Sequence, residues 1–368
     1  MSEPIRILHV LQRMEAGGTQ ALLMNLYRNI DRTKVQFDFL VEYPNKYFYD
    51  DEILSLGGRI FYTNIRQDKN IVKFKKEVRK VLAEEHYKIV HVHAYTIGYF
   101  VLKEAKKCGV KVRIAHSHNN QTVKDGKYIL KLIMQKLFTI YATDLFACSA
   151  DAGRYLFKGK KFHVLNNAID SKKFIYNEVV RNEVRKELNV APNTFLIGNV
   201  GRLHSQKNQM FLLDVFSKYL KKNPDSVLLI IGDGPLENDI VKKIDSLNIG
   251  KNVIMLKNRS DMDRIYQAMD IFVLPSLFEG LGIVAIEAQA AGVPVLASTG
   301  VSRDADLTDL INYMPLSDGE EKWAENLDEI SKNTLAHTDM HESIIRAGYD
   351  LHSTVKFIEN FYINKYYQ

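Results

Sequence analysis

Apolar and polar positions along this chain follow two different periods. Short apolar runs such as Ile5–Leu11 are typical of strands that are buried on both faces. Between these runs, apolar residues recur at three- and four-residue spacing, which is typical of helices that pack on one side. The first half predicts strands at 5–11, 35–41, 59–63, 89–92, 112–115, 144–148 and 163–165, and helices near 46–57, 69–86, 96–108, 126–142 and 149–157. This alternation predicts a parallel sheet with helices on both faces.

The pattern pauses at 171–192, a polar segment ending in Pro192 that we interpret as a linker. A second alternating series follows, with strands predicted from 195 and at 227–231, 253–256, 271–274 and 294–297. The aromatic tail, 350–368, predicts a docked helix. We therefore predict an α/β protein of two doubly wound, Rossmann-like domains, 1–170 and 171–349. Such sheets bind ligands at the carboxyl ends of their strands, so a ligand is expected in a cleft between the two domains.

Composition narrows the class of protein. The chain has 368 residues, 46% of them hydrophobic and 26% charged, which is typical of a soluble globular protein. It contains no run of about 18 apolar residues, so we expect no membrane-spanning helix. Two cysteines give no disulfide framework, and the N-terminus lacks the pattern of a signal peptide. We expect a cytoplasmic protein.

Charge is distributed unevenly. Residues 1–165 carry 28 Lys and Arg against 16 Asp and Glu, a net charge of +12, and the remainder carries −6. A basic first half predicts an anionic partner. Lys124, Lys127 and Lys131 lie beside the apolar stretch 129–133, and a second basic run covers 73–80. Both basic segments suit contact with the anionic inner face of the cell membrane. Alternatively, each is a solvated amphipathic face.

The stretch 278–288 predicts a turn and then a helix that opens near Gly282, directly after a buried strand. A helix start carries about half a positive charge and several unpaired N–H donors, which suits a phosphate. Glu279 lies in the turn, and Glu287 lies inside the helix. These groups fit the two ends of a sugar nucleotide, and they equally fit an ordinary strand–helix unit with a capping glutamate.

Two cations follow the first strand of the second series. Arg202 and Lys207 come after Gly198 and Gly201, close to a predicted helix start. A guanidinium and an ammonium group in this position fit a diphosphate. A diphosphate that leaves a sugar gains negative charge, so fixed cations stabilise the transition state more than the ground state. Two solvated surface cations are the alternative. Arg259, in a loop after the strand at 253–256, is a candidate for contact with a nucleobase, or part of a plain loop.

Histidines and aspartates raise the question of a metal. The pairs His91/His93 and His116/His118 each close a strand, and alternate residues share one face of a strand. Zinc would fit this spacing, but no cysteine or suitably spaced carboxylate accompanies it. We expect one histidine of each pair to pack and the other to reach the cleft, with His118 contacting substrate. The D-x-D triplets at 261–263 and 304–306 are interpreted as structural, so we predict no metal site and no cofactor.

Taken in order, these motifs resemble the family 4 glycosyltransferases of the GT-B fold, especially the bacterial members that build capsular and exopolysaccharides. The similarity runs from Ile5 to about Ala297. It is carried by Gly17-Gly18, His118, the segments 166–170, 201–207 and 232–235, and the E-x7-E spacing of Glu279 and Glu287. The resemblance implies a retaining enzyme that uses a nucleotide-activated sugar without a metal. It also implies that the C-terminal helix, 350–368, packs back on the first domain.

The same resemblance implies roles for individual residues. Glu287 would accept hydrogen bonds from the ribose hydroxyls, and Glu279 would contact the donor sugar. The diphosphate would be held by Arg202, Lys207 and the backbone N–H groups near Leu281, Gly282 and Ile283. In the first domain, His118 would contact the donor sugar near the reacting carbon, and Gly18 would let this domain close over the phosphates. The leaving phosphate would help to deprotonate the acceptor, so the resemblance implies no protein nucleophile.

The sequence therefore predicts a hexosyltransferase that moves a sugar from a nucleotide-sugar, most simply a UDP-sugar, to a lipid-linked or growing saccharide in cell-surface polysaccharide biosynthesis. No nucleic acid is expected as a partner. Two alternatives stay open at this point. A GT-B sugar-nucleotide epimerase would release UDP and a free sugar without an acceptor, and a non-catalytic GT-B subunit would bind a partner or glycan.

Overall fold

A computed structural model describes residues 3–15, 17–118, 126, 128–333 and 337–368. The chain divides into two compact units. The first unit combines Met1–Ile169 with Leu351–Gln368, and the second unit is Asp170–Asp350. The helix predicted at 350–368 is present as Leu351–Tyr367.

The first unit is built on a seven-stranded parallel sheet. Its strands are β1 Ile5–Leu11, β2 Val35–Val41, β3 Ile60–Tyr62, β4 Ile89–Val92, β5 Val112–Ser117, β6 Asp144–Ala147 and β7 His163–Val164, in the order β3-β2-β1-β4-β5-β6-β7. Successive residues of a strand face opposite sides, and both sides are apolar here. Ile7 belongs to one hydrophobic cluster and Leu8 to another. This explains why the strand sequences are continuously apolar rather than alternating.

Helices cover both faces of this sheet. They are α1 Gly18–Asn29, α2 Asp50–Ser55, α3 Ile65–Asp68, α4 Ile71–Glu84, α5 Tyr95–Lys107, α6 Tyr128–Phe138 and α7 Ala150–Phe157. Phe74, Val78 and Leu82 of α4 are buried at a four-residue spacing, which places them on one face of the helix.

The second unit repeats this plan with six parallel strands. They are β8 Phe195–Val200, β9 Ser226–Ile231, β10 Val253–Leu256, β11 Ile271–Leu274, β12 Val295–Ser298 and β13 Ile311–Met314, in the order β10-β9-β8-β11-β12-β13. Its helices are α8 Glu178–Glu187, α9 Gln209–Leu220, α10 Glu237–Ser246, α11 Met262–Ala268, α12 Ile283–Ala290, α13 Gly319–Lys332 and α14 His341–Arg346. Two doubly wound parallel sheets confirm the predicted fold class. No helix in the described ranges is long and apolar enough to cross a bilayer.

The C-terminal helix α15, Leu351–Tyr367, returns to the first unit. It packs on α1, β1 and β2, and it buries Leu351, Val355, Ile358 and Tyr362. Lys365 also pairs with Asp144 at 2.7 Å. Of the aromatic residues of the tail, Tyr362 therefore belongs to the core of the first unit and Phe361 and Tyr366 pack against it, whereas Phe357 and Tyr367 are exposed.

Two details of the predicted element list are wrong. The segment 171–192 is not a plain linker, because it contains α8, whose start is capped by the Asn177 side chain accepting from the Val179 N–H at 2.9 Å. Arg185 of α8 is buried and donates to the Ala268 carbonyl at 2.8 Å, so a charged residue supplies packing where the pattern showed only polarity. Strand β13 was not predicted, because an edge strand with one buried residue, Ile311, shows no apolar run.

Five histidines form the most unusual part of the first core. His9 lies on β1, His91 on β4 and His116 on β5, while His93 and His118 directly follow β4 and β5. Neighbouring rings lie face to face, with centroids 4.1 Å apart for His116 and His118 and 4.4 Å apart for His91 and His93. Three adjacent parallel strands in register place them together, since His9 is directly opposite His91.

The five rings are joined by hydrogen bonds into two separate chains. In one chain, Tyr362 Oη lies 2.7 Å from His91 Nδ1, and His91 Nε2 lies 3.0 Å from His116 Nδ1. In the other, His9 Nδ1 lies 3.1 Å from His93 Nε2, and His93 Nδ1 lies 2.8 Å from His118 Nε2. Burial lowers the pKa of His9 and His118 to about 3, and it also lowers the pKa of His91, His93 and His116. The rings are therefore neutral at pH 7.

We expect these histidines to make the first unit sensitive to acid. Unfolded histidines take up protons near pH 6.5, whereas the buried rings do not, so stability is highest above that value and falls as the pH drops below it. Each ring that stays neutral lowers the free energy of unfolding by about 1.4 kcal/mol per pH unit below 6.5. Several rings together should therefore lower it by several kcal/mol at pH 5.5. Urea unfolding at pH 7.5 and 5.5, followed by far-UV circular dichroism, measures the change.

The single tryptophan supplies an internal control. Trp323 is fully buried in the second unit, so its fluorescence reports that unit alone. The circular dichroism midpoint should fall more than the fluorescence midpoint between the two pH values. A circular dichroism midpoint that is the same at both pH values would show that the histidines are not held neutral.

Candidate functional site

The loop that leads into α12 is the centre of the candidate site in the second unit. It leaves β11 and ends at Gly282, the N-cap residue of α12, with a φ of +79°. A Cβ atom at Gly282 would lie 3.1 Å from Val301 Cγ1, so both conformation and space favour glycine there. The first N–H groups of α12, from Ile283 onward, have no acceptor within the helix and carry its positive dipole end. Leu281 is buried beneath this turn.

Glu279 and Lys207 are in direct contact. Lys207 Nζ lies 2.6 Å from Glu279 Oε1, and Ser276 Oγ donates to the same oxygen at 2.7 Å. Glu279 is 8% exposed, so its charge depends on these two partners. The two loops are also joined through their backbones, since the Leu277 N–H donates to the Gln206 carbonyl at 2.8 Å.

Glu287 lies further along α12 and is held by Tyr266. The Tyr266 hydroxyl donates to Glu287 Oε2 at 3.0 Å. Burial raises the pKa of Glu287 to about 7, an effect that the Tyr266 hydrogen bond and the charge of Lys207 oppose and the charge of Asp263 reinforces. A carboxyl group that titrates near neutrality and touches a buried hydroxyl is a candidate binding group for a polar ligand.

Arg202 lies in the loop after β8, which is interlocked with the loop after β9. The Leu203 N–H donates to the Asp233 carbonyl at 2.9 Å, and the Leu236 N–H donates to the Leu203 carbonyl at 3.1 Å. A Cβ atom at Gly232 would lie 2.0 Å from the Gly201 carbonyl oxygen, so the close approach of the two loops requires glycine. The Arg202 side chain is exposed at the carboxyl end of the sheet.

Arg259 is engaged elsewhere. Its guanidinium makes two hydrogen bonds to the Asp261 carboxylate, at 2.8 and 2.7 Å, and a third to Glu187 at 2.6 Å. These contacts tie the loop after β10 to α8 and to the start of α11. The described contacts of Arg259 are therefore structural, and its predicted contact with a nucleobase stays a prediction.

In the first unit, Gly18 follows the carboxyl end of β1 and His118 follows that of β5. Gly18 opens α1 after the loop that follows β1, and His118 follows β5. Since β4 separates β1 from β5 in the sheet, His93 lies between them. His118 Nε2 is bonded to His93, while His118 Nδ1 is buried and makes no hydrogen bond with any part of the chain that the structure describes.

Two groups of three histidines have the spacing of metal ligands. Ring nitrogens of His9, His91 and His93, and those of His93, His116 and His118, lie within 4.8 Å of one another. Both groups consist of neutral ligands alone, so a divalent ion would keep its double charge in a buried site, which is costly. Most of the nitrogens are also engaged with one another, while His9 Nε2, His116 Nε2 and His118 Nδ1 have no hydrogen-bond partner in the described part of the chain. The arrangement is therefore better described as a hydrogen-bonded network.

Two residues of the site, Ser276 and Tyr266, were missed at the sequence level. Ser276 lies two residues after the end of β11, a position that could have marked it as a partner for Glu279. Tyr266 belongs to an ordinary helical pattern and carries no signal of its contact with Glu287. Of His91 and His93, one was expected to pack and the other to reach the cleft, and the structure distinguishes the two by their hydrogen-bond partners.

Two family models match the chain. A model described as glycosyltransferase family 4 matches residues 16–173, and a model described as glycosyl transferases group 1 matches residues 180–349. The solved structure of HepE from Anabaena, in complex with UDP and glucose, superposes with a TM-score of 0.79 at 18% identity and covers 97% of this chain and 99% of that chain. That likeness supports the GT-B fold.

Curated relatives agree with the family models. The putative glycosyltransferase EpsF of Bacillus subtilis is 34% identical over 97% of this chain and 96% of its own length. A UDP-Gal:α-D-GlcNAc-diphosphoundecaprenol α-1,3-galactosyltransferase of Escherichia coli is 27% identical over 80% of this chain and 79% of its own length. The capsular polysaccharide biosynthesis glycosyltransferase CapH of Staphylococcus aureus is 24% identical over 98% of this chain and 99% of its own length. The chain belongs to the family 4 glycosyltransferases.

Proposed function

We propose that this glycosyltransferase moves a hexose or amino sugar from a UDP-sugar to a lipid-linked or growing saccharide in cell-surface polysaccharide biosynthesis, with retention of configuration and without a metal. The observation that carries the proposal is the contact of Lys207 with Glu279 beside the start of α12, with Glu287 in the same helix. A cation suits a diphosphate, and the two carboxylates suit the hydroxyls of a sugar and of a ribose.

The diphosphate is assigned to the cationic part of the site. Lys207, Arg202 and the N–H groups of Leu281, Gly282 and Ile283 supply positive charge and donors. In the free protein Lys207 is paired with Glu279, so an incoming diphosphate competes for the ammonium group. As the bond to the sugar breaks, charge builds on the leaving phosphate, and a fixed cation stabilises that state most.

The sugar and the ribose are assigned to the two glutamates. Once the diphosphate takes up Lys207, Glu279 becomes an acceptor for hydroxyls of the donor sugar. Glu287 accepts from the two ribose hydroxyls, while Tyr266 keeps its carboxyl group in place. His118 contacts the donor sugar near the reacting carbon, and Gly18 lets the backbone approach the phosphates. The leaving phosphate removes the proton of the acceptor, so no protein nucleophile is assigned.

The names of similar proteins support the choice of donor and acceptor. HepE was solved with UDP and glucose, the Escherichia coli relative uses UDP-Gal and a sugar linked to diphosphoundecaprenol, and CapH acts in capsular polysaccharide biosynthesis. A UDP-sugar and a lipid-linked saccharide are therefore the substrates to test first.

A lipid-linked acceptor calls for contact with a membrane, and α6 offers a suitable surface. Ile129, Leu130 and Ile133 are 74%, 56% and 49% exposed, and Lys136 is exposed on the same helix. We propose that this face, together with exposed Lys160, docks on an anionic bilayer at the inner face of the cell membrane.

Four other cations that were predicted to contact the membrane contribute less to this proposal. Lys124 and Lys127 lie outside the described residues. In the run 73–80, Lys73 pairs with Asp68 at 2.9 Å and Arg79 pairs with Glu104 at 2.7 Å. These cations are already compensated within the protein.

Substitution of Lys207 tests the catalytic proposal. We expect Lys207→Ala to lower kcat by on the order of 100-fold, because the charge that stabilises the leaving diphosphate is lost. The assay measures UDP release and product formation with UDP-sugars and a lipid-linked saccharide, in the presence of EDTA. Lys218→Ala, which removes an exposed pair with Glu321, is the control and should retain full activity. Transfer at the wild-type rate by Lys207→Ala, or loss of transfer in EDTA, would contradict the proposal.

Donor affinity should depend on pH through Glu287. Its pKa of about 7 means that the group is increasingly protonated below neutrality, and a protonated carboxyl group accepts fewer hydroxyl hydrogen bonds. UDP-glucose should therefore bind roughly tenfold more weakly at pH 6 than at pH 8.

UDP-glucose is the right ligand because its diphosphate diester does not titrate in this range. Calorimetry at both pH values measures the effect, and Glu287→Gln should bind weakly with little pH dependence. Equal pH dependence in wild type and Glu287→Gln would assign the effect to another group.

The α6 face should control binding to anionic vesicles. We expect the triple variant Ile129→Ser/Leu130→Ser/Ile133→Ser to lose most co-sedimentation with vesicles that contain phosphatidylglycerol, because the apolar contact area is removed. Val179→Ser, which removes an apolar side chain that is 64% exposed on the second unit, is the control. Vesicle binding that is unchanged in the triple variant would exclude this face.

A further inference from the structure

Within the first unit, the ring of His118 is held by a hydrogen bond to the ring of His93. His93 Nδ1 lies 2.8 Å from His118 Nε2, and His93 Nε2 lies 3.1 Å from His9 Nδ1. His93 is 8% exposed and His9 is fully buried, so water does not compete for these bonds. Both ring nitrogens of His93 are thus committed inside the protein.

The proton positions in this chain are coupled. A neutral imidazole has one N–H and one lone pair, so in each hydrogen bond between two rings one bonded nitrogen carries the proton and the other the lone pair. If His93 donates to His118 Nε2, then His118 carries its proton on Nδ1. If His118 donates instead, Nδ1 carries the lone pair. In either case Nε2 is occupied, and Nδ1 is the nitrogen that remains for a ligand.

We propose that His93 is a positioning residue, which holds the ring of His118 in one orientation and one tautomer so that Nδ1 faces the donor sugar. This inference rests on the proposed function, because it takes His118 as the residue that contacts the sugar. His118 Nδ1 is buried without a partner among the described residues, and a buried polar atom of this kind is costly until a ligand satisfies it. His9 supports His93 from the other side in the same way.

Without His93, the ring of His118 loses this restraint. A turn of about 180° around the Cβ–Cγ bond exchanges the positions of ring nitrogens and carbons, and places a carbon where Nδ1 stood. The stacked ring of His116 permits that turn, since stacking at 4.1 Å does not distinguish nitrogen from carbon as a hydrogen bond does. The donor sugar would then meet the wrong atom for much of the time.

The second histidine chain provides a matched control. His91 is 1% exposed, lies two residues before His93, and uses both ring nitrogens in hydrogen bonds, to Tyr362 and to His116. It makes no hydrogen bond to His118 among the described contacts. Removal of His91 therefore damages the core in a comparable way and leaves the partner of His118 in place.

The test compares turnover of three variants. His93→Leu should lower kcat about tenfold or more, because the sugar-contacting ring is misplaced. His93→Asn should recover much of the loss, because its amide can reach the place of the imidazole Nδ1. His91→Leu should keep the kcat of its folded fraction. Affinity for UDP should stay within about twofold in all three, since the side chains assigned to the nucleotide lie in the second unit and Gly18 is left unchanged.

A double variant separates positioning from general damage. His93→Leu added to His118→Ala should cause no further loss of kcat, because the ring to be positioned is absent. Additive losses, or an equal loss in His91→Leu, would overturn the inference. A wild-type enzyme that is inactive with every sugar nucleotide would instead refute the proposed function.

Nitrogen NMR tests the positioning without an activity assay. In protein labelled with ¹⁵N-histidine, the two ring nitrogens of His118, assigned from their absence in His118→Ala, should show the separate shifts of one protonated and one unprotonated nitrogen. His93→Leu should bring the two shifts together, while His91→Leu should leave them apart. Averaged shifts for His118 in the wild-type protein would also overturn the inference.

Discussion

The parallel arrangement of both sheets is the constraint on which the candidate site depends. All strands of a parallel sheet end at the same edge, so each loop that follows a strand is placed beside the loops of the neighbouring strands. Strand β8 lies next to β11, and this adjacency brings Lys207 to Glu279 although the two residues are 72 positions apart in the sequence. Likewise, β1, β4 and β5 are neighbours, and this order brings together histidines from three separated segments.

Close packing at these strand ends leaves little freedom for the charged groups. Glu279 has two partners and Glu287 has one, and each of these partners is itself held by the core or by a loop. Tyr266 is fully buried, so its hydroxyl cannot move away from Glu287 without leaving an unpaired group behind. Placement of this kind reduces the reorganisation that a ligand must cause, which is what a site for a charged transition state needs.

The sequence predicted the fold well because the apolar runs of buried parallel strands are long and distinctive. Strands such as β4 and β11 match their predicted bounds, whereas β13 was missed because an edge strand needs few apolar residues. Helix α8 was missed for a related reason, since its buried side includes Arg185 rather than a row of apolar residues.

The same contrast holds for the site. Residue types and spacing singled out Lys207, Glu279 and Glu287, because charged groups after glycine-rich turns are unusual. The partners Tyr266 and Ser276 could not be singled out, because one hydroxyl in a helix and one after a strand look like many others in the chain. Arg259 shows the converse, since a cation after a strand looked available, and only the structure shows its contacts with Asp261 and Glu187.

The two units keep polar groups near strand ends in different ways, and the difference has consequences for what a ligand can do there. In the second unit, Lys207 and Glu279 are opposite charges that satisfy each other, so an anionic ligand can displace one partner and set the other free. In the first unit, the histidines are neutral and hold one another through directional hydrogen bonds, so no internal partner is displaced when a ligand meets the unpaired His118 Nδ1. A charge pair can respond to the ligand, whereas a chain of neutral rings can only present a fixed atom to it. The charge pair suits binding and release of a diphosphate, and the chain of neutral rings suits precise contact with an uncharged sugar.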